Sequence, residues 1–365
     1  MNHQVKVSVI SGAVLSGIAA LTYLWWTKAN SNKKSESKYT TDQSAPSKIP
    51  TEKTSAGEAV NYHITRQCNY ACGFCFHTSK TSHVEPLERA KEIVRLLRTD
   101  LGFKKINFAG GEPFLEPKLL GELCKYAKEE CCYESVSIIS NGSKITENWL
   151  RKHGKFVDIL GVSCDSFNEE TNIAIGRGKG KHITSVKQVA KWCDKYHIQF
   201  KLNTVVNQYN LNEDMSSEIN ELNPMRWKIF QVLPLEGENC GQDAKRNDLD
   251  RFLITSEQFQ TFLQRQRNGL LNPKIMKVEE NDVMQSSYVV VDEFGRFLDS
   301  SHGSKSPTKS ILKVGAQAAW NELMGSDGQG YNATLFYARD GHYADSSWST
   351  DKSSVEEDIE DLLVM

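Results

Sequence analysis

Hydrophobic and polar positions alternate with two different periods from residue 59 onward. Short apolar runs with a two-residue period predict strands, which lie near residues 60–65, 105–109, 135–140, 158–163, 199–206 and 227–233. Apolar stripes at helical spacing predict the helices between them, most clearly at 86–98, 117–130, 183–196 and 215–222. Strands that alternate with helices are typical of βα units and a parallel sheet. Six units predict an α/β fold, a partial (β/α)6 barrel that is open on one side.

The alternation weakens after residue 233. A helix is still predicted near 256–266 and a strand near 288–291, and the chain ends in an acidic segment. We therefore expect a barrel core over 59–240, a C-terminal extension over 241–345 and a disordered acidic tail over 346–365.

The N-terminus carries an uncharged run over residues 7–27, between Lys6 and Lys28, which as a helix is long enough to span a bilayer. The run is only moderately apolar, so spanning the membrane and lying in its interface both stay open. Its bulky end, Tyr-Leu-Trp-Trp, does not fit a signal-peptide cleavage site. We expect a membrane-associating helix over 1–28, then a flexible polar linker over 29–58.

Composition narrows the possible functions. The formal net charge is −2, which argues against a protein that binds a nucleic-acid polymer through a broad basic surface. The nine cysteines are an odd number, and most are scattered without a pairing pattern. They predict free thiols in a reducing compartment, in agreement with the lysines that follow the N-terminal run and favour a cytosolic body.

Several predicted strands have one polar and one apolar face. The polar faces contain Asn61, His63 and Thr65; Lys105 and Asn107; Lys201 and Asn203; and Arg226 and Lys228. Because the apolar faces should pack against the outer helices, the polar faces should line the barrel interior. One such lysine could simply reach the barrel mouth, but several cations on neighbouring strands predict a multiply anionic substrate, with a nucleoside triphosphate as the leading candidate.

Three cysteines, Cys68, Cys72 and Cys75, form a CxxxCxxC motif directly after the first predicted strand. Three thiolates can hold a soft metal or an iron-sulfur cluster and leave one coordination position open. A zinc knuckle would need a second pair of ligands, yet the next cysteine is Cys124. The spacing therefore favours a metal or cluster site at which one coordination position is free to bind a reactive molecule.

The motif, with an aromatic residue before its last cysteine, resembles the signature of the radical S-adenosylmethionine (SAM) superfamily. The wider segments NYHITRQCNYACGFCFHTSKTS, INFAGGEPF and SCDSF resemble one branch, the viperin family of antiviral nucleotide-modifying enzymes, over roughly residues 59–311. The resemblance implies a [4Fe-4S] cluster on the three cysteines, with S-adenosyl-L-methionine on its open iron. It also implies conversion of CTP to the chain-terminating nucleotide 3′-deoxy-3′,4′-didehydro-CTP.

The resemblance further implies roles for single residues. Gly110, Gly111 and Glu112 would receive the amino group of S-adenosylmethionine, and Ser140, Asn141 and Ser163 would lie around the cofactor. Arg177 would reach either the cofactor carboxylate or the substrate phosphates.

On the substrate side, the resemblance places Asn61 and Asn203 at the nucleotide and Lys201, Arg226 and Lys228 at the triphosphate. Lys105 would lie near the reacting centre, and Arg339 would close over the phosphates from the C-terminal extension. Tyr288 is either the final proton donor or an ordinary tyrosine at a strand end.

Two departures from the family stand out. Ala109 occupies a position that is usually serine, and the chain ends in Asp-Leu-Leu-Val-Met instead of a basic segment with a terminal tryptophan. The second departure puts recruitment of the iron-sulfur assembly machinery in doubt. The resemblance also implies an electron donor as partner and a location at the cytosolic face of the endoplasmic reticulum and on lipid droplets.

Two alternatives stay open. A radical enzyme with another anionic substrate fits the inward cations equally well. A membrane-tethered interaction protein could instead hold a non-catalytic metal in the cysteine loop.

Overall fold

The computed structural model describes residues 58–245, 248–281, 284, 288–300 and 302–325. The strands are β1 Ala59–Thr65, β2 Lys105–Gly110, β3 Ser135–Ser140, β4 Ile159–Ser163, β5 Gln199–Val206, β6 Arg226–Gln231, β7 Met276–Glu279, β8 Val290–Val291, β9 Arg296–Asp299 and β10 Ser306–Ser310. The helices are α1 Leu87–Thr99, α2 Pro117–Glu129, α3 Glu147–His153, α4 Glu169–Ala174, α5 His182–Lys195, α6 Ser216–Leu222, α7 Ser256–Gly269, α8 Ile311–Val314 and α9 Ala316–Met324. Short 3-10 helices cover Pro113–Leu115, Gly154–Phe156, Leu249–Phe252 and Pro273–Ile275.

The strands form one sheet in the order β10-β9-β8-β1-β2-β3-β4-β5-β6-β7. Neighbours from β8 to β7 run parallel, whereas β9 and β10 are antiparallel additions beside β8. Consecutive βα units in sequence order confirm the predicted partial barrel. A seventh parallel strand, β7, extends it beyond the six units that the sequence predicted.

The sheet curls so that side chains of β7 and of the segment before β8 come into contact, although the two strands are not paired. Glu279 ends β7, and Tyr288 lies just before β8, yet the Tyr288 hydroxyl donates a hydrogen bond to the Glu279 carboxylate. Six strands separate these two segments in the sheet order. A side-chain contact therefore bridges the opening that backbone pairing leaves between β7 and β8.

The apolar strand faces pack against the helices, as the alternation predicted. Val60, Tyr62 and Ile64 of β1 are almost fully buried, and the stripe of α1 that includes Ile93 and Leu97 belongs to the same hydrophobic core. Burial of one such side chain contributes about 1.5–3 kcal/mol, so this layer is a main source of stability. The opposite strand faces are thereby left for the barrel interior.

Some sequence predictions lie outside the described residues. These are the N-terminal helix, most of the linker, Arg339 and the acidic tail. Within the part of the chain that the structure describes, no helix has both the length and the apolar character needed to cross a bilayer.

Candidate active site

The cysteine loop, which we define as residues 66–82, connects β1 to α1 and is fixed by the loop that follows α4. The Ala71 N–H donates to the Gly176 oxygen at 3.0 Å, and the Gly73 N–H donates to the Ile175 oxygen at 3.1 Å. Gly176 has a φ of +82°, and a Cβ there would lie 2.3 Å from the Ala71 oxygen. Glycine at this position is therefore what lets the two loops meet backbone to backbone.

Cys72 belongs to a small apolar cluster, and Cys75 packs against it. Burial raises the pKa of Cys72 to about 12 and also raises the pKa of Cys68, so both thiols favour the protonated form without a metal. The Tyr70 N–H lies 3.4 Å from the Cys68 sulfur, and the Cys75 sulfur lies 3.3 Å from the His77 oxygen.

The donor set fits a cluster better than a single ion. No group of three His, Cys, Asp or Glu side chains within the described ranges is arranged around one metal position. Thiolates that bind a [4Fe-4S] cluster each contact a different iron, so they do not need to converge on one point. Cys68, Cys72 and Cys75 would supply three of the four thiolates that such a cluster accepts.

The Gly110-Gly111-Glu112 segment runs beside the start of the cysteine loop. The Gly111 N–H donates to the Thr65 oxygen and the Glu112 N–H to the Gln67 oxygen, both at 2.8 Å. A Cβ on Gly111 would lie 2.1 Å from the Gln67 oxygen, so only glycine permits this approach.

Glu112 is fully buried and connects this segment to the end of β3. Its carboxylate accepts hydrogen bonds from the Ser140 hydroxyl at 2.8 Å, the Asn141 N–H at 2.7 Å and the Phe114 N–H at 3.0 Å. Burial outweighs these bonds and raises the pKa of Glu112 above its ordinary value. The Asn141 amide lies 3.9 Å from the Cys68 sulfur, so the predicted cofactor residues of β2 and β3 do meet the cysteine loop.

Arg177 pairs with Asp165 at the end of β4. The second Asp165 oxygen accepts the Val205 N–H at 2.9 Å, and Asp165 is fully buried. The Arg177 contact with Asp165 is made through Nε, and the expectation that Arg177 reaches the cofactor carboxylate or the substrate phosphates stays a prediction. The main-chain oxygen of Ser163 accepts a hydrogen bond from His182 at 2.9 Å.

The polar faces of β1, β2 and β5 line the interior. Asn107 donates to the Asn61 side-chain oxygen at 3.2 Å, and Asn61 donates to the Val289 oxygen at 3.1 Å. The Asn203 side-chain oxygen is buried and has no hydrogen-bond partner among the described residues. A buried acceptor without a hydrogen-bond partner lowers the stability of the folded protein. A hydrogen bond from a bound ligand would remove this cost, so the position suits a ligand contact.

The predicted phosphate cations lie on paired strands. Lys201 of β5 is the register partner of Arg226 of β6, and Asn203 is the partner of Lys228. Lys105, at the start of β2, forms an ion pair with Glu58 at 3.8 Å.

Lys228 has partners that sequence reasoning missed. It pairs with Glu279 and donates to the Tyr288 hydroxyl at 2.5 Å. No acidic partner for Lys228 was predicted from the sequence. The available signal for Glu279 was its position at the end of the short run Ile-Met-Lys-Val, where it is the first of two adjacent glutamates.

A second missed group joins the cysteine loop to the C-terminal extension. His63 Nδ1 lies 3.0 Å from His77 Nε2, and Lys305 donates to His77 Nδ1 at 2.9 Å. Arg66 donates to Glu238 at 2.9 Å, and Lys305 lies 3.6 Å from the same carboxylate. Burial lowers the pKa of Lys305 to about 8, whereas Lys305 and Arg66 hold the pKa of Glu238 at about 2 against its own burial.

Comparisons with known proteins agree with this geometry. The model of the radical SAM superfamily matches residues 62–219. The chain is 48% identical over 295 residues to the S-adenosylmethionine-dependent nucleotide dehydratase RSAD2 of Danio rerio, which covers 80% of this chain and 78% of the relative. It is 47% identical over 296 residues to the protein of the same name from Oncorhynchus mykiss, with 80% of each chain covered.

Solved structures show the same fold. The structure of anSMEcpe with bound AdoMet and the Kp18Cys peptide matches with a TM-score of 0.56 at 16% identity, over 77% of this chain and 83% of that one. At this identity the likeness concerns the fold alone.

Proposed function

The chain belongs to the S-adenosylmethionine-dependent nucleotide dehydratases of the radical SAM superfamily, and we propose that its substrate is CTP. The product would be 3′-deoxy-3′,4′-didehydro-CTP, formed by removal of the ribose 4′ hydrogen atom, loss of the 3′ hydroxyl as water with one added proton, and reduction by one electron from the electron donor. A chain-terminating nucleotide of this kind would give the protein a role in antiviral innate immunity.

The observation that carries the substrate proposal is the pairing of cationic strands inside the barrel. Lys201 and Arg226 are register partners, and Lys228 follows two residues after Arg226 on the same strand face. A triphosphate presents several negative charges along one chain of atoms, and convergent lysines and arginines are the groups that bind it. The adjacent Asn203 oxygen can accept a hydrogen bond from a nucleotide donor.

The cofactors are those of the family, a [4Fe-4S] cluster and S-adenosylmethionine. When bound, they supply a 5′-deoxyadenosyl radical that removes hydrogen from a substrate carbon. Cys68, Cys72 and Cys75 would hold the cluster. Gly110, Gly111 and Glu112 would receive the methionine amino group, and Ser140, Asn141 and Ser163 would line the cofactor site.

The remaining assignments concern the substrate. Asn61 would contact the nucleotide, and Lys105 would lie near the reacting centre. The Tyr288 hydroxyl, between Lys228 and Glu279, is our candidate for the proton donor that lets the 3′ hydroxyl leave as water. Arg177, held by Asp165, would act on the cofactor or the phosphates through the loop that it fixes, and Arg339 would close over the phosphates.

The cellular setting is part of the proposal. Residues 7–27 would attach the protein to the cytosolic face of the endoplasmic reticulum and to lipid droplets. An electron donor would reduce the cluster, and the iron-sulfur assembly machinery would deliver it, although the C-terminus departs from the family's basic segment.

Anaerobic reconstitution tests the proposal directly. The protein is loaded with iron and sulfide, reduced, and given S-adenosylmethionine with each nucleoside triphosphate in turn. We expect 5′-deoxyadenosine formation to be fastest with CTP, together with a product that is one water lighter than CTP.

The same experiment separates the alternatives. Equal 5′-deoxyadenosine formation with every nucleotide would reject CTP as the substrate and favour another anionic molecule. A protein that retains about one zinc per chain and no acid-labile sulfide would instead be an interaction protein with a non-catalytic site.

A further inference from the structure

Glu279 connects two residues that belong to different parts of the barrel. One carboxylate oxygen pairs with Lys228 of β6, and the other accepts the hydroxyl of Tyr288, just before β8. Lys228 in turn donates to the Tyr288 oxygen. The three side chains therefore form a closed ring of contacts.

Two of the three side chains in the ring are almost fully buried. The side chains of Lys228 and Glu279 are 7% and 4% exposed. A buried ammonium group requires a counter-charge, and a buried phenol requires a hydrogen-bond partner. Glu279 meets both requirements before any nucleotide arrives.

The ring also bridges the opening of the sheet. Without Glu279, the described contacts between β7 and the segment before β8 would lose this side-chain connection, since the two segments are not paired through their backbones. Lys228 and Tyr288 would then lose the group that fixes their separation and orientation.

We propose that Glu279 is a positioning residue of the nucleotide site, an internal carboxylate that occupies Lys228 in place of a phosphate and holds Tyr288 toward the interior. This inference rests on the proposed function, because it assumes that Lys228 contacts a nucleotide phosphate. When a triphosphate arrives, the Lys228 charge is shared between the phosphate and Glu279, while the Tyr288 hydroxyl keeps its hydrogen bond to Glu279 until it gives its proton to the substrate. Glu279 therefore weakens nucleotide binding and at the same time orders the site.

Two substitutions separate these effects. Glu279→Gln removes the negative charge but keeps an oxygen that can accept the Tyr288 hydroxyl, whereas Glu279→Ala removes both. Glu280→Gln is the matched control, because Glu280 is the exposed neighbour and accepts a hydrogen bond from Gln260.

We expect reconstituted Glu279→Gln to bind CTP at least about threefold more tightly than the unmodified protein, because the buried negative charge beside Lys228 is removed, with kcat changed less than about threefold. Glu279→Ala should lower kcat by about tenfold or more, because Tyr288 is no longer oriented. Glu280→Gln should change neither value. Calorimetric titration without reductant gives the affinity, and steady-state 5′-deoxyadenosine formation gives kcat and KM.

Equal affinity for CTP in Glu279→Gln and the unmodified protein would overturn the inference, as would unchanged kcat in Glu279→Ala. If Glu279→Ala does not fold, the affinity of Glu279→Gln decides alone. Failure of the proposed function looks different, because the unmodified protein itself would then show no preference for CTP.

Discussion

The Arg177 guanidinium pairs with the Asp165 carboxylate, and Arg177 directly follows Gly176, whose main-chain oxygen accepts a hydrogen bond from the cysteine loop. Asp165 is fully buried, so its charge depends on this partner. The pair fixes the loop after α4, and that loop in turn fixes Ala71 and Gly73. A buried ion pair therefore stabilises the loop that hydrogen-bonds to the cysteine loop.

Replacement of Arg177 should destabilise the whole domain. Arg177→Met leaves the Asp165 charge buried without a partner, and we expect a loss of about 3–5 kcal/mol in the free energy of unfolding. Urea unfolding of the metal-free protein measures it. The double variant Asp165→Asn, Arg177→Met should recover part of the loss; a double variant no more stable than the single one would contradict this explanation.

A methyl group at Gly176 should disrupt the cysteine loop. Gly176→Ala places a Cβ 2.3 Å from the Ala71 oxygen, and we expect a clear drop in iron bound per chain after reconstitution. Gly180→Ala is the control, because Gly180 has a similar φ of +87° but its Cβ would meet only a side-chain carbon at 3.7 Å. If both variants lose iron equally, backbone strain and not the loop contact is responsible.

Loss of one loop thiol should abolish cluster binding. Cys72→Ala removes one of three ligands, so iron and acid-labile sulfide should both fall to a small fraction of about four each per chain. Cys132→Ala, at an exposed cysteine outside the loop, should retain both. Full iron and sulfide in Cys72→Ala would remove Cys72 from the ligand set.

Neutralisation of Lys201 should weaken nucleotide binding more than cofactor binding. Lys201→Met removes one of the predicted phosphate cations, and we expect KM for CTP to rise by about tenfold or more. Lys187→Met is the control, because Lys187 is a surface residue that pairs with Glu221. A Lys201→Met enzyme with unchanged KM would place the triphosphate elsewhere.

The lowered pKa of His182 predicts that the stability of the fold depends on pH. Burial lowers the pKa of His182 from 6.5 to about 3, so the folded protein keeps it neutral while the unfolded chain takes up a proton as the pH falls below about 6.5. Stability from this group is therefore complete above pH 6.5 and is lost progressively toward pH 3. Between pH 7.5 and 5.0 we expect about 2 kcal/mol of loss from His182.

The control for this prediction is His182→Gln, whose amide can still donate to the Ser163 oxygen but does not titrate. Urea unfolding at both pH values should show a smaller difference in the variant. The same pH difference in both proteins would assign the dependence to other groups.

Much of the barrel could be predicted from local patterns. The alternation in β1 is regular enough that Tyr62 and Ile64 were placed on the helix side and Asn61 and His63 on the interior side, as found. Strands β7 and β9 were missed because each has only four residues, too few to establish a period.

The strand patterns place the candidate site residues on the interior faces, but they do not give the partners of those residues. Lys228 was placed inside the barrel by its strand, whereas Glu279 lies 51 residues later and becomes its neighbour only when the sheet curls. His63 and His77 contact each other across a loop whose path has no local signal in the sequence. Side-chain pairings of this kind arise only in the tertiary structure, so local sequence patterns cannot predict them.

Lys305 also donates to the main-chain oxygen of Phe76 at 2.7 Å, across a separation of 229 residues. During synthesis the cysteine loop leaves the ribosome long before Lys305 does. Until then, the residue next to Cys75 lacks this partner, and the loop cannot reach its final hydrogen bonding. The final hydrogen bonding of the cysteine loop therefore requires a chain that has been synthesised at least as far as Lys305, which places the last step of folding of this loop late in translation.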